Sequence, residues 1–412
     1  MNEQVGGNGA RVVIAGGGVA GLEGLLALHD LAGDRAVVTL ISAEDEFLYK
    51  PLLVEEPFDL GPAERHALAP LAEEKGARFV QRALVAVRPD EHQIELDDGS
   101  TLEYDYLVVC AGGRFVPALE GASTFPSREG TFRADELLDR AAGKDHRVVF
   151  VVPAGVTWSL PLYEVALMTQ RRASQHGIDV KIAIITPESA PLAIFGPTAS
   201  AAVTDLLRAR GIELFANSTV REIGEGGITL RPGDRALGPA EAVALPAMEG
   251  PGIEGLPADE KGFIPIDDHA RVKGAKDVYA AGDGTNFPIK QGGLATQQAD
   301  AAAEDIAHRI GEGPAPEPFR PVLRGKLLTG EESVNLRAEI AGGGGEGEAS
   351  PDYLWWPPHK ISARYLAPLL YHGEAHEEPE PPRHALEVEV ALPKEWHEEP
   401  MALDQLSPPD VD

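Results

Sequence analysis

The chain has a single cysteine, Cys110, in 412 residues. One cysteine excludes an internal disulfide and any metal cluster held by several thiolates, and we expect no bound metal. The same scarcity is typical of a reducing compartment. Cys110 stands inside the apolar run Leu107-Val-Val-Cys110, which favours a small core residue over a reactive thiol.

Long apolar runs and basic residues are also scarce. No segment approaches the roughly 18 uninterrupted apolar residues of a membrane span, and the polar start of the chain has no signal-peptide pattern. The 36 basic residues stand against 66 acidic ones, a formal charge of −30, which repels nucleic acid and anionic lipid. We therefore expect a cytoplasmic protein that binds no nucleic acid and has no integral membrane segment.

A glycine-rich turn near the N-terminus joins a predicted strand to a predicted helix. The segment reads Arg11-Val-Val-Ile-Ala-Gly16-Gly-Gly18-Val19-Ala20-Gly21-Leu. In a Gly-x-Gly-x-x-Gly turn the first glycine permits the bend, the second lets the backbone approach a pyrophosphate, and the third allows close packing of helix and strand. Because the N–H groups at the helix start face the diphosphate, the segment predicts a dinucleotide site. Its residues are Gly16, Gly18, Val19, Ala20 and Gly21.

A second signal stands far downstream, where the apolar strand Val278-Tyr-Ala-Ala ends in Gly282-Asp283. The two segments together resemble the flavoproteins with two dinucleotide-binding domains. In those proteins the first turn holds the FAD diphosphate and the late carboxylate binds a ribityl hydroxyl. The resemblance implies FAD as the cofactor, with Gly282 and Asp283 among its contacts.

Several shorter segments resemble sulfide:quinone oxidoreductases and type II NADH dehydrogenases. Ser42-Ala43 closes the second strand where many ribose sites have an acidic residue. Tyr49-Lys50-Pro51-Leu-Leu is similar to the segment beside the flavin ring, and Gly282-Asp283-Gly-Thr-Asn-Phe-Pro-Ile-Lys290 extends the likeness. Val85 matches the valine at the adenine edge, and Ala111-Gly112 matches a small-residue turn. The resemblance implies cofactor contacts at Ser42, Ala43, Lys50, Pro51, Val85, Ala111, Gly112 and Lys290.

Residues 147 to about 252 are predicted to form a second α/β unit, with strands at 147–152, 180–185 and 212–216 and helices at 161–174 and 198–210. In two-domain flavoprotein reductases this unit binds NAD(P)H. Here Pro153 and Trp158 stand where the first and third glycines of the turn belong. Proline fixes φ, and an indole prevents close packing of helix and strand. We therefore expect poor binding of NAD(P)H.

The same loop is similar to sulfide:quinone oxidoreductases, in which a redox cysteine takes the place of Trp158. Those enzymes use a cysteine pair at the flavin, and this chain has one cysteine. The resemblance therefore implies the fold and the flavin site but not the sulfide reaction. Lys290 is the candidate catalytic residue, because a cation beside the flavin stabilises negative charge on the reduced ring. The alternative is a surface lysine.

These observations predict an FAD-dependent oxidoreductase that passes electrons between a small donor and a quinone-like acceptor. The stretch Leu294-Ala-Thr-Gln297-Gln298 resembles a segment that type II NADH dehydrogenases place near the quinone. Two alternatives stay open. One is an NAD(P)H:quinone reductase that binds nicotinamide loosely, and the other is a non-catalytic FAD-binding protein.

A proline-rich linker at 313–321 precedes a small C-terminal domain. Strands are predicted at 322–328 and 334–340, a mobile glycine turn at 341–345 and a helix at 361–371. The aromatic segment 353–371 favours packing over the flavin or a homodimer contact; the alternative is a quinone entrance or an anchor peripheral to a membrane. The acidic end, 374–412, predicts a solvated tail.

The expected fold is α/β, with two Rossmann-like dinucleotide-binding domains and a small C-terminal α+β domain. Residues 1–115 and 253–313 are expected to form a discontinuous FAD-binding domain, with a helix near 62–75. Residues 116–252 interrupt it as a second Rossmann-like domain with a degenerate nucleotide turn. Residues 319–412 form the C-terminal interface domain with the acidic tail.

Overall fold

A computed structural model of the chain describes residues 9–127, 132–142, 147–224, 226–313, 315–338 and 348–371. The predicted glycine turn at 341–345 and the acidic end at 374–412 lie outside these ranges. The helices within them are α1 (Val19–Ala32), α2 (Leu68–Glu74), α3 (Ala134–Ala141), α4 (Leu160–His176), α5 (Gly196–Ala209), α6 (Gly292–Arg309) and α7 (Leu366–Leu370).

The strands in the first half of the described chain are β1 (Ala10–Ala15), β2 (Ala36–Ser42), β3 (Glu46–Leu48), β4 (Arg65–Ala67), β5 (Arg78–Gln81), β6 (Leu84–Arg88), β7 (Gln93–Leu96), β8 (Thr101–Glu103), β9 (Tyr106–Val109), β10 (Arg114–Val116) and β11 (Ser123–Thr124). Those in the second half are β12 (Arg147–Val151), β13 (Lys181–Ile185), β14 (Glu213–Phe215), β15 (Thr219–Gly224), β16 (Gly227–Arg231), β17 (Ala240–Ala244), β18 (Ala247–Glu249), β19 (Val278–Ala280), β20 (Leu323–Leu327), β21 (Val334–Ala338) and β22 (Glu348–Ser350).

The first sheet is parallel, with five strands in the order β19-β9-β1-β2-β5. Its central strand β1 is buried from Val12 to Ala15, as expected for a strand covered on both faces. In register, Ala15 pairs with Val109, and Val109 pairs with Ala280. The carboxyl ends of β1, β9 and β19 therefore lie side by side. The turns that follow these three strands meet at one edge of the sheet, where ligands of open α/β sheets bind.

A second parallel sheet has the order β11-β17-β12-β13-β14. Its central strand β12 is buried at Val148, Val149, Phe150 and Val151. Helices α3, α4 and α5 pack against its strands. Two parallel sheets with helical connections confirm the predicted α/β fold with two Rossmann-like units.

The C-terminal sheet is antiparallel, with strands in the order β20-β21-β22. Leu323, Leu327 and Leu336 from this sheet are buried in the same core as Leu160 and Phe195 of the second unit. The sheet therefore packs on the second unit through apolar side chains. No described helix combines the length and the apolar character needed to cross a membrane.

Two predicted helices are shorter than expected. The region expected to be helical near 62–75 contains β4, which pairs with β3, and only then the short helix α2. The helix expected over 361–371 is reduced to α7. Pro368 explains the second difference, because proline lacks an N–H and is tolerated only in the first turn of a helix. The segment before Leu366 is therefore not helical.

Candidate active site

A cavity of about 930 Å³ lies where the turns after β1, β9 and β19 meet. This volume is near the upper end of the range for small-molecule and cofactor sites. The segment after β3, the loop before α4 and the C-terminal segment at 360–361 complete its walls. The cavity thus gathers residues from the first unit, the second unit and the C-terminal part of the chain.

The glycine turn is shaped by two close approaches of backbone. Gly16 has φ +126°, and a Cβ there would come 2.2 Å from the carbonyl oxygen of Cys110. A Cβ on Gly21 would lie 1.8 Å from the carbonyl oxygen of Gly16. Gly18 differs, because a Cβ there would meet no described heavy atom within 4 Å, and Gly18 lines the cavity. The start of α1 has no side-chain cap, so the turn leaves room and N–H donors for an anion.

Charged side chains of both signs converge beyond the turn. Asp283 follows β19, and burial raises the pKa of its carboxyl, while the charges of Lys290 and Lys50 oppose that shift. Lys290 Nζ donates to the Thr285 carbonyl at 2.5 Å and lies 3.8 Å from the centroid of the Phe263 ring. Burial lowers the pKa of Lys290 to about 8, against the attraction of Asp283 and Asp259.

The structure brings most of the predicted site residues to this cavity. Those that line it are Gly18, Val19, Ala20, Lys50, Pro51, Gly112, Gly282, Asp283 and Lys290. Gly16 and Gly21 form the turn behind the wall, and Ser42 is buried at the end of β2 beside Gly17. Ala43, Val85 and Ala111 are exposed and lie outside the cavity wall.

The loop before α4 is filled by side chains of the protein itself. Trp158 lines the cavity, and its ring centroid is 5.8 Å from that of Phe195. Glu188, which follows β13, accepts hydrogen bonds from Ser159 Oγ at 3.0 Å, Tyr163 OH at 2.9 Å and Thr186 Oγ1 at 2.8 Å.

In dinucleotide-binding units an acidic residue near this position binds the ribose of the nucleotide. Burial raises the pKa of Glu188, and its hydroxyl donors oppose that shift. Because three internal hydroxyl groups already occupy this carboxylate, its geometry agrees with the expected poor binding of NAD(P)H. The sequence pattern did not reveal that Ser159, Tyr163 and Thr186 would be the partners of Glu188.

A buried ion pair stands behind the cavity wall. Glu164 Oε2 is 2.5 Å from Lys360 Nζ, and their side chains are 0% and 7% exposed. Glu164 Oε1 accepts the Leu328 N–H at 2.7 Å, and Lys360 also donates to the Pro51 carbonyl at 3.0 Å. Burial raises the pKa of Glu164, while Lys360 opposes the shift.

Further charged groups lie beside this pair. Burial raises the pKa of Glu55, against the charges of Lys360 and Lys326, and burial lowers the pKa of Lys326. Lys326 and Lys360 both line the cavity. Glu55, Glu164 and Lys326 were not among the predicted site residues, although an acid within the apolar stretch Tyr163-Glu164-Val-Ala-Leu was a signal that it needed a buried partner.

The only cysteine is a core residue. Cys110 is 6% exposed in the core of the first unit, and burial raises the pKa of its thiol to about 12. The thiol is therefore protonated at neutral pH, which opposes a nucleophilic role. Elsewhere in the described chain, Asp267, Asp268 and His269 place their ligand-type atoms within 4.8 Å of one another. Asp267 there accepts two backbone N–H groups and Asp268 contacts His269, which are the contacts of a turn.

Comparison with known proteins identifies one family. The sequence model described as pyridine nucleotide-disulphide oxidoreductase matches residues 10–304. The sulfide-quinone reductase of Aquifex aeolicus is 29% identical over 223 residues, covering 52% of this chain and 52% of that protein. The match thus spans about half of the Aquifex protein. The type II NADH:quinone oxidoreductase NdhA of Mycobacterium tuberculosis is 26% identical over 367 residues, covering 77% and 76%.

Solved structures show the same fold. The sulfide:quinone oxidoreductase of Aquifex aeolicus superposes with a TM-score of 0.74 at 23% identity, covering 83% of this chain and 87% of that one. NDH2 of Plasmodium falciparum superposes with a TM-score of 0.60 at 12% identity, covering 79% and 90%. At these identities the likeness concerns the fold alone.

Proposed function

The chain belongs to the pyridine nucleotide-disulphide oxidoreductase family and is an oxidoreductase, and we propose that it binds FAD and passes electrons between a small donor and a quinone. The observation that carries the proposal is the cavity itself. It joins the open glycine turn, the carboxylate of Asp283 and the ammonium groups of Lys290 and Lys360 in one space.

The cavity residues fit an extended, anionic flavin nucleotide. Gly18 and the start of α1 would hold the diphosphate, because a side chain is absent there and N–H donors are present. Asp283 would accept a ribityl hydroxyl, and Lys290 would face the electron-rich edge of the ring. Bound FAD supplies the ability to accept and release two electrons.

The buried pair of Glu164 and Lys360 supplies protons to the quinone. We call the part of the cavity lined by Lys360 the acceptor end. Reduction of a quinone to a quinol consumes two protons with two electrons. Lys360 Nζ holds a proton at the cavity wall and shares it with Glu164 Oε2 across 2.5 Å. Because Glu164 is fully buried, it exchanges protons through Lys360 rather than directly with solvent. The pair therefore acts as a local proton store beside the cavity.

The electron donor separates this proposal from its main alternative. Two relatives named as NADH or NAD(P)H:quinone oxidoreductases favour a second candidate function, an NAD(P)H:quinone reductase. The internal hydrogen bonds of Glu188 and the indole of Trp158 oppose this candidate, because they fill the place where the second unit would bind NAD(P)H. A cysteine-pair reaction with sulfide is also opposed, since the chain has a single cysteine. A non-catalytic role would not explain the buried Glu164–Lys360 pair beside the cavity.

Anaerobic stopped-flow spectroscopy of the purified protein tests these possibilities. The oxidised protein should show the visible spectrum of bound FAD, and chemically reduced protein should be reoxidised by a short-chain quinone. NADH and NADPH, each added alone, should bleach the flavin slowly and without saturation. Rapid saturable bleaching by either nucleotide would establish the second candidate. Protein that purifies without FAD, or reduced protein that no quinone reoxidises, would contradict the proposal.

A further inference from the structure

A fully buried carboxylate fastens the C-terminal part of the chain to the first unit. Glu23 lies on α1 and is 0% exposed. Its Oε1 accepts the backbone N–H groups of Arg364 at 2.7 Å and Tyr365 at 2.9 Å, and its Oε2 accepts that of Leu366 at 2.6 Å. Three backbone donors therefore converge on one side chain, which comes from a residue more than 340 positions earlier in the chain.

The three donor residues, 364–366, stand at the end of a segment that forms part of the cavity wall. We call residues 359–366 the strap. Within it, Lys360 and Ile361 line the cavity, and the Ile361 N–H donates to Tyr49 OH at 2.9 Å. The Ile361 side chain also packs tightly on the start of α6, where a Cβ on Gly292 would meet it at 2.6 Å. The strap thus runs from the cavity to α1 with anchors at both ends.

We propose that Glu23 is a positioning residue for the acceptor end of the cavity, because its three hydrogen bonds keep the strap, and with it Lys360 and Ile361, on the cavity wall. The inference rests on the proposed function for the identity of the acceptor. Only three residues lie between Lys360 and Arg364, so release of the Glu23 contacts removes the anchor at 364–366 and leaves Lys360 and Ile361 held by their own contacts with Glu164, Pro51 and Tyr49.

A carboxylate is specifically suited to this role. An ionised carboxylate offers only acceptors, whereas an amide of the same shape has one oxygen and an NH₂ group that would face a backbone donor. Hydrogen bonds to an ionised acceptor are also the stronger kind. Burial raises the pKa of Glu23 and the three backbone donors oppose this. The pKa of its neighbour Asp300 on α6 is raised well above the usual range by burial and by Glu23, whereas the three backbone N–H donors favour the charged form of Glu23.

The charged surroundings of the strap provide a matched control. Arg364 Nη1 is 3.3 Å from Glu304 Oε1, in a pair whose side chains are 58% and 36% exposed. Tyr365 OH donates to Asp30 at 3.3 Å, also at the surface. Glu304→Gln therefore removes the charge from a contact to the same strap on its solvent side. The comparison of Glu23→Gln with Glu304→Gln isolates the buried anchor.

Three measurements on the FAD-loaded protein test the proposal. Hydrogen exchange should be about tenfold faster or more at residues 364–366 in Glu23→Gln, which corresponds to about 1.4 kcal/mol. Quenching of flavin fluorescence by iodide should increase, because the cavity becomes more open. The KM for a soluble quinone should rise by about tenfold, with the rate of flavin reduction by dithionite unchanged. Glu304→Gln should match the wild type in all three, and Glu23→Ala should exceed Glu23→Gln.

The outcomes separate this inference from the proposed function. Unchanged exchange at 364–366 in Glu23→Gln would overturn it, and so would faster exchange with unchanged iodide quenching. A wild type that reduces no quinone would refute the proposed function instead, while exchange and quenching would still decide whether Glu23 positions the strap. If Glu23→Ala fails to fold, the nearly isosteric Glu23→Gln carries the test alone.

Discussion

Removal of Lys360 should destabilise the protein more than removal of any exposed lysine. Lys360→Met keeps much of the side-chain length and deletes the charge that compensates Glu164. The carboxylate of Glu164 then stays fully buried, with the Leu328 N–H as its remaining partner. Loss of one member of a buried ion pair typically costs about 3–5 kcal/mol, because an uncompensated charge remains inside. We therefore expect a loss of about 3–5 kcal/mol in the free energy of unfolding at pH 8.

The double variant Lys360→Met/Glu164→Gln should recover most of this loss. The amide oxygen that Glu164→Gln introduces can still accept the N–H of Leu328, and no unpaired charge remains. The coupling energy of the double-mutant cycle should exceed about 2 kcal/mol. Lys276→Met is the exposed control, since the Lys276 side chain is 82% exposed, and it should change stability by less than about 1 kcal/mol.

The pH dependence of the stability loss in Lys360→Met is a second, independent test. Burial raises the pKa of Glu164, and removal of Lys360 takes away the charge that opposes this shift. A buried carboxyl group costs little stability while it is protonated, because it then carries no charge. The folded state loses stability as the pH rises from the unfolded value of about 4.3 through the folded value. Urea titrations should therefore show a small deficit for Lys360→Met near pH 5 and the full deficit near pH 8. A loss below about 1 kcal/mol at pH 8, or a deficit that grows towards acid pH, would show that Lys360 does not compensate a buried charge on Glu164.

Three further changes test the cofactor site. Gly18→Val should release FAD, because its side chain would enter the cavity, whereas Gly24→Ala on the same helix, with Ala299 Cβ at an ordinary 3.8 Å, should keep it; equal FAD content in both would place the diphosphate elsewhere. Lys290→Met should lower the flavin midpoint potential by about 30 mV or more, equivalent to about 1.4 kcal/mol, and the difference from wild type should shrink above pH 8 as Lys290 loses its proton; an unchanged or higher midpoint potential at pH 7 would contradict this role. Cys110→Ser should leave flavin reduction nearly unchanged and reduce stability by burying a hydroxyl; loss of turnover in folded, FAD-loaded protein would reveal a catalytic thiol.

Local patterns in the sequence were enough to predict the two sheets and the glycine turn. The turn at 16–21 is recognisable because its strand, bend and helix are contiguous in sequence. Asp283 could be linked to it through the resemblance to flavoproteins, and the structure places both at one sheet edge. The short α7 was mispredicted because the apolar spacing was given more weight than Pro368.

Contacts between distant segments could not be predicted in this way. Lys360 and Glu164 are 196 positions apart, and nothing in the local sequence of either selects the other. Glu23 stands in an apolar helix as an unexplained acid until the backbone of residues 364–366 is seen to reach it. A buried charge in an apolar stretch therefore signals a partner without identifying it. Only the tertiary structure shows which residue or backbone group is the partner.

The strand order of the first sheet has a consequence for biosynthesis. The glycine turn leaves the ribosome early, but β19, which extends the same sheet and carries Asp283 at its end, follows about 260 residues later. At 5–20 residues per second this interval is on the order of 15–50 s. Strand β9 leaves about 170 residues before β19, so for roughly 10–35 s of that interval it has no strand on one side, and its backbone is open to pairing with other chains. The nascent chain thus passes through a long aggregation-sensitive stage, and chaperone demand should fall when residues 278–283 emerge.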